Sequence, residues 1–168
     1  MDVATPANPK GIFDRSAKGR SLAPVNVLVE RGSIRFFSRV LGQIDSIHYD
    51  VEAARAAGHP DLVAPPSYLM VIEALASDEL KRRGAQTAAE LVNFDFRYLL
   101  HGDETYAYRA PIYAGEEVAF STRVVDFYDK KGGAMEFAKL ECDVTHAERG
   151  VLVRATRTLL HRLPGAAS

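Results

Sequence analysis

Across residues 22–30 Val25, Val27 and Val29 alternate with less buried-looking neighbours, the two-residue period of a strand with one covered face. From residue 33 to 41 the period lengthens. Ile34, Phe37, Val40 and Leu41 recur at three and four residues, which predicts a one-sided helix stopped at Gly42, a residue suited to the left-handed helix end. After a polar loop, residues 50–57 read as a short helix with Asp50 as N-cap and Gly58 as its end. Pro65-Pro66 then opens the main helix, because first-turn N–H groups have no acceptor inside a helix, and nothing breaks residues 67–83 before Gly84. Its first half is apolar on nearly every side (Tyr68, Leu69, Met70, Val71, Ile72, Ala74, Leu75, Ala76), so it is expected to be covered all round.

From about residue 92 the period returns to two. Phe94, Phe96 and Tyr98 alternate with Asp95 and Arg97, and Tyr106 and Tyr108 with Ala107 and Arg109. Three longer segments follow, about 117–128, 134–146 and 151–162, joined by the glycine-ended connections 129–133 and 147–150, so an antiparallel meander is predicted. Residues 1–20 show neither period and read as an irregular arm; 164–168 form a tail. The pattern is α+β: a short strand, small helices, one long apolar helix and a run of five antiparallel strands. A curved sheet wrapped around that helix gives a hot-dog fold, expected as a single domain over residues 21–163. One such sheet leaves edges and a flank of the helix bare, so a dimer, or a double hot dog with another chain, is expected.

Composition narrows the function classes. A chain of 168 residues suits one domain, and 21 basic against 22 acidic residues give a net charge of -1, with no field to attract nucleic acid or an acidic membrane surface. Cys142 has no disulfide partner, Met1 to Pro6 lacks the basic and apolar regions of a signal peptide, and the apolar run 68–76 contains Glu73 and falls short of the ~18–20 residues of a membrane span. A soluble cytoplasmic protein is expected. No Cys/His set has metal-ligand spacing, no glycine-rich loop follows a strand, and no Gly-x-Ser-x-Gly elbow is present, so neither metal nor cofactor is expected.

Four segments carry a resemblance: Gly32-Ser33-Ile34-Arg35-Phe36-Phe37; residues 42–58, which begin Gly42-Gln43-Ile44-Asp45-Ser46-Ile47-His48-Tyr49-Asp50; Val63-Ala64-Pro65-Pro66-Ser67-Tyr68; and residues 100–117, from Leu100-His101-Gly102 to Glu116-Glu117. In order and spacing they resemble the N-terminal-type domain of MaoC-like dehydratases, the fatty-synthase-like dehydratases, over residues 22–162. The resemblance implies hydro-lyase chemistry on (R)-3-hydroxyacyl or 2-enoyl thioesters of coenzyme A or acyl carrier protein. In catalytic members an Asp and a His five residues later share a water. A base is needed for the C2 proton and an acid for the departing 3-hydroxyl, while N–H donors at the buried helix's N-terminus stabilise the enolate-like oxygen. Here His48 matches the histidine, but Gln43 stands five residues upstream, and Pro65-Pro66 replaces His-Gly before the helix, removing two N–H groups. The resemblance therefore points to the substrate-holding half of an enzyme whose Asp and His come from a second, catalytic chain.

Plainer readings stand beside these. His48 is a candidate base or a hydrogen-bonded loop histidine; Asp45 is a relocated acid or a turn residue, and Asp50 a cap. Gln43, Pro65, Pro66, Ser67 and Tyr68 are candidate thioester-side residues, with Tyr68 equally suited to the core. His101 and Gly102, at a strand end, are substrate-side candidates or mark a bulge or interface contact. Two alternatives to the hydro-lyase remain open: a non-catalytic acyl-thioester-binding partner, and a hot-dog thioesterase, for which Glu73 is the early carboxylate on the helix.

Overall fold

The computed structural model describes residues 8–164. Five strands form one antiparallel sheet in the order β1-β3-β4-β5-β2: β1 (Val25–Leu28), β2 (Leu99–Tyr108), β3 (Glu117–Lys130), β4 (Met135–His146) and β5 (Gly150–Arg162). Glycines at positive φ, Gly132, Gly133 and Gly150, turn the chain between the three long strands, whose register pairs Thr122 with Cys142 and Cys142 with Ala155. This is the sheet of a hot-dog fold, with α1 (Arg31–Val40), α2 (Val51–Ala56), α3 (Leu69–Arg82) and α4 (Ala88–Leu91) placed against it or at its ends. Among the described residues no helix is long and apolar enough to cross a membrane.

Leu69, Ile72 and Ala76 point from α3 into a core shared with Val25, Val27, Phe120, Cys142, Val144 and Ala155. The sequence predicts a helix covered all round, and the structure differs: Met70 and Leu75 are 48% and 41% exposed, because the sheet packs on the Leu69–Ile72–Ala76 face and the described residues leave these two side chains partly open. The face of α1 is narrower than predicted too: Ile34 and Ser38 are buried and Phe37 half-buried, whereas Val40 and Leu41 look outward.

Two boundaries depart from the sequence reading. Pro65 and Pro66 do not open α3 directly. Ser67 adopts φ 70, a left-handed conformation that cannot belong to a helix, so the helix starts two residues later. The alternation of Phe94, Phe96 and Tyr98 is not a strand, which leaves four strands after α3 rather than five. Thr87 and Glu90 form a reciprocal capping box that starts α4, the chain turns through residues 92–98, and pairing with β5 begins at Leu99. The predicted arm is irregular but not loose. Phe13 and Ala17 are buried in a second core cluster with Leu91, Phe127, Leu140 and Leu159, and Ser21 bridges to Arg123. Residues 1–7 of that arm and 165–168 of the tail lie outside the described residues.

Candidate functional site

Gly42, at φ 69, ends α1 and releases a tight loop. The Gln43 N–H donates to Ser38 O (2.9 Å) and Gln43 O accepts from the Tyr49 hydroxyl (2.7 Å), so the loop closes on itself. Within it Asp45 caps the single turn Ser46–His48, its carboxylate accepting from the Ile47 N–H at 3.1 Å. Asp50 caps α2, accepting from Glu52 and Ala53 N–H. The turn grips the strand-like segment ahead of α3 from two sides: Val63 N–H donates to Ile47 O (3.1 Å), and Val63 O meets His48 Nδ1 at 2.6 Å. A carbonyl only accepts, so Nδ1 carries the proton and Nε2 is left as the basic nitrogen of a neutral ring. His48 is buried.

The same segment bonds to the loop after β2, through Ala64 N–H to Ile112 O and Ala114 N–H to Leu62 O. It then delivers buried Pro65, exposed Pro66 and Ser67 to the N-terminus of α3. One backbone donor there is occupied. The Tyr68 N–H bonds Pro65 O (3.1 Å), and the Ser67 N–H faces the hydroxyl of Tyr108 at the end of β2. The Leu69 N–H has no backbone acceptor among the described residues. Tyr68 turns its ring into the core, edge-on to Phe37 at 5.7 Å. Burial pushes its phenol above the ordinary range, and its oxygen makes no hydrogen bond of ordinary geometry, although Ser33 faces it.

The predicted residues thus fall into two groups. Gln43, Asp45, His48, Pro65, Pro66, Ser67 and Tyr68 are linked around the start of α3. His101 and Gly102 sit toward the other end of β2, seven and six residues from Tyr108, or roughly 20 Å of strand. There the register shifts between His101 and Glu104, and a Cβ at Gly102 would meet Thr158 O at 2.7 Å, so the glycine permits a close backbone approach at a bulge.

An apolar cavity of about 270 Å³ lies between α3 and the β1–β3 side of the sheet, and none of the residues of either group lines it. One wall is a single face of α3 (Met70, Glu73, Ala74, Ser77, Leu80), beginning one turn from Ser67 and continuing for roughly 15 Å. Val25 and Phe120 line the sheet side, and half-buried Phe94 and largely exposed Phe96 line it from the turn after α4. Glu73 brings charge to it but is not free. Arg157 Nη1 donates to Glu73 Oε2, while Nη2 and Nε hold Glu104 Oε1 at 2.5 and 3.0 Å. Burial opposes the charge of Arg157, yet the two carboxylates outweigh it and its pKa lies above the ordinary value. Cys142 is no nucleophile, since burial lifts its thiol to about 12.

Sequence reasoning passed over the Glu73–Arg157–Glu104 network and a second buried pair, Glu136 with His161. Apart from Glu73 on α3, their members alternate normally in strands, and the signal available, a charged residue in an inward register, appears once the strands are paired. Among the described residues no group of three or more His, Cys, Asp or Glu could hold a metal ion.

A family model described as the dehydratase domain region of FAS1-like proteins matches residues 16–156. UPF0336 proteins of Clavibacter michiganensis and Leifsonia xyli are each 32% identical over 158 residues, covering 94% of this chain and 97% of theirs. The C-terminally truncated HadBC (3R-hydroxyacyl-ACP dehydratase) complex of Mycobacterium tuberculosis has a similar fold, at a TM-score of 0.68 and 18% identity over 86% of this chain and 96% of that one. So does a MaoC-like dehydratase of Rhodospirillum rubrum, at 0.66 and 18% over 91% and 98%. A chain of the ChsH1–ChsH2 complex of Mycobacterium tuberculosis follows at 0.64 and 19% over 91% and 94%.

Proposed function

Because the chain belongs to the FAS1-like dehydratase-region family, we propose that it is the substrate-holding component of a hydro-lyase acting on (R)-3-hydroxyacyl or 2-enoyl thioesters. The observation that carries this reading is the state of the His48 loop. Hydration needs a base and an acid about one water. His48 offers a basic Nε2, but Gln43 stands where an acid belongs, and the nearest carboxylates in sequence, Asp45 and Asp50, are committed to capping N–H groups. The apolar cavity along α3, whose lining on the helix starts at Met70, offers what a holding subunit needs, room for the acyl tail. Glu73 is a poor candidate for a thioesterase nucleophile or base while Arg157 holds it.

The missing acid then comes from a second hot-dog chain. Two of the similar folds belong to two-chain assemblies, HadBC and ChsH1–ChsH2. In this chain β2 is a ten-residue edge strand with Leu100 and Tyr108 exposed, whereas the opposite edge, β1, has four residues. A long exposed edge is a template for pairing, and Leu75 of α3 adds a further exposed apolar side chain. The test is to purify the tagged chain from its own cells and assay crotonyl-CoA hydration. The expected result is co-purification of a hot-dog chain with an intact Asp and His five residues apart, and hydration that requires it. A chain that purifies without a partner and hydrates crotonyl-CoA efficiently would overturn the reading.

A further inference from the structure

Away from the His48 loop the protein builds a carboxylate–imidazole pair. Glu136 on β4 and His161 on β5 stand directly opposite each other, both fully buried, with Glu136 Oε1 2.9 Å from His161 Nδ1. The other ring nitrogen, Nε2, accepts the backbone N–H of Asp95 at 3.1 Å. An acceptor nitrogen there requires the proton on Nδ1, so His161 is a neutral ring donating to Glu136. The same Oε1 also accepts the N–H groups of Ile12 (2.7 Å) and Phe13 (3.0 Å). Oε2 has no hydrogen bond among the described residues, and Arg15 Nη2 lies 3.9 Å from it.

Two segments remote in sequence meet on this pair. One is the arm, whose Phe13 ring stacks on the His161 ring with centroids 4.0 Å apart. The other is the turn after α4, where Asp95 lies between Phe94 and Phe96, two aromatic residues that line the apolar cavity. The arm reaches that turn as well. Asp14 N–H donates to Val92 O, Asn93 Nδ2 donates to Ile12 O, and Phe13 meets Phe94 edge-on at 6.0 Å. Without these ties residues 92–98 would be a surface turn with an open side, since they pair with no strand before Leu99.

We propose that the Glu136–His161 pair is a positioning device that holds residues 92–96 in place as the end wall of the cavity, and so sets the longest acyl tail the protein accepts. This rests on the reading of the cavity as an acyl channel. Neither residue touches the tail; both act through Asp95, Phe13 and the aromatic wall.

The test is calorimetric binding of saturated acyl-CoAs, from butyryl to tetradecanoyl, to the full chain and its variants, with amide hydrogen exchange read over residues 92–96. Wild type is expected to bind more tightly as the tail lengthens and then to lose affinity beyond a cut-off. In His161→Leu the wall loses its Asp95 acceptor, so exchange at 92–96 rises and affinity for tails beyond the cut-off increases about tenfold, with butyryl-CoA unchanged. His161→Gln, whose amide supplies one donor and one acceptor, is expected to restore the wild-type profile. Gly11→Ala gives the same result from outside the core, because its Cβ would stand 2.7 Å from Glu136 Oε2 and push the arm away. If the variants change all chain lengths equally, or none, while wild type keeps a cut-off, the inference is overturned and the acyl channel stands. If wild type binds every acyl-CoA no better than coenzyme A itself, both fall.

Discussion

His48 and His161 are both buried and both have their ring protons fixed by one short contact, yet they are built for opposite ends. His48 Nδ1 meets a backbone carbonyl, a partner that orients the ring without adding charge, and Nε2 makes no protein hydrogen bond among the described residues. His161 has a carboxylate on one nitrogen and a backbone N–H on the other, so nothing on its ring remains for chemistry. A catalytic histidine needs a free nitrogen, and a fastening histidine needs none. The protein uses its buried carboxylate–imidazole pair for fastening and leaves the motif histidine without one.

Breaking the fastening pair should have the largest effect. Glu136→Ala strands three buried donors, the N–H groups of Ile12 and Phe13 and the ring of His161, and a loss of roughly 3 kcal/mol or more is expected from the urea midpoint. The pH dependence follows from the same group. Burial raises the Glu136 carboxyl, but its donors, His161 first and then Ile12 and Phe13, outweigh burial and hold it below its ordinary value of 4.5. A carboxyl with a lowered folded pKa contributes stability that is fully present above its unfolded value and lost as pH falls through the folded one. The midpoint should therefore drop on acidification below about pH 4.5, and less steeply in Glu136→Gln. At the other histidine the effect is smaller: His48→Ala forfeits one carbonyl bond, about 1 kcal/mol, and leaves exchange protection at residues 92–96 unchanged. Smallest is Asp45→Ala, an exposed cap whose loss should cost about 0.5–1 kcal/mol without moving the arm.

The contrast also marks what was legible beforehand. The strand carrying Val25, Val27 and Val29, the stop at Gly42, the Asp50 cap and the three long strands all rest on local periods or single-residue conformations, and they appear within a few residues of where the sequence predicts them. Thr87 and Glu90 have the spacing of a capping box, but the alternation of Phe94, Phe96 and Tyr98 after it reads as a strand in the sequence, and that alternation forms no strand. Ser67 at positive φ was not legible, since serine carries no preference for that conformation and the loop imposes it through Val63, Ala64 and Tyr68. Nor was the pairing of Glu136 with His161, 25 residues apart in sequence, because it depends on the register of two strands and on an arm with no period of its own. The motif drew attention to His48 and Gln43. It carried no information about the residues that line the cavity from the turn after α4.

The most direct test is the rate of crotonyl-CoA hydration by the purified chain alone, before and after Gln43→Asp. A substrate-holding component with one half of an acid–base pair should give background rates as wild type, with turnover appearing in Gln43→Asp at on the order of 10²-fold over that background. Efficient wild-type turnover that disappears in His48→Ala would contradict this, because the complete acid–base machinery would then reside in this chain.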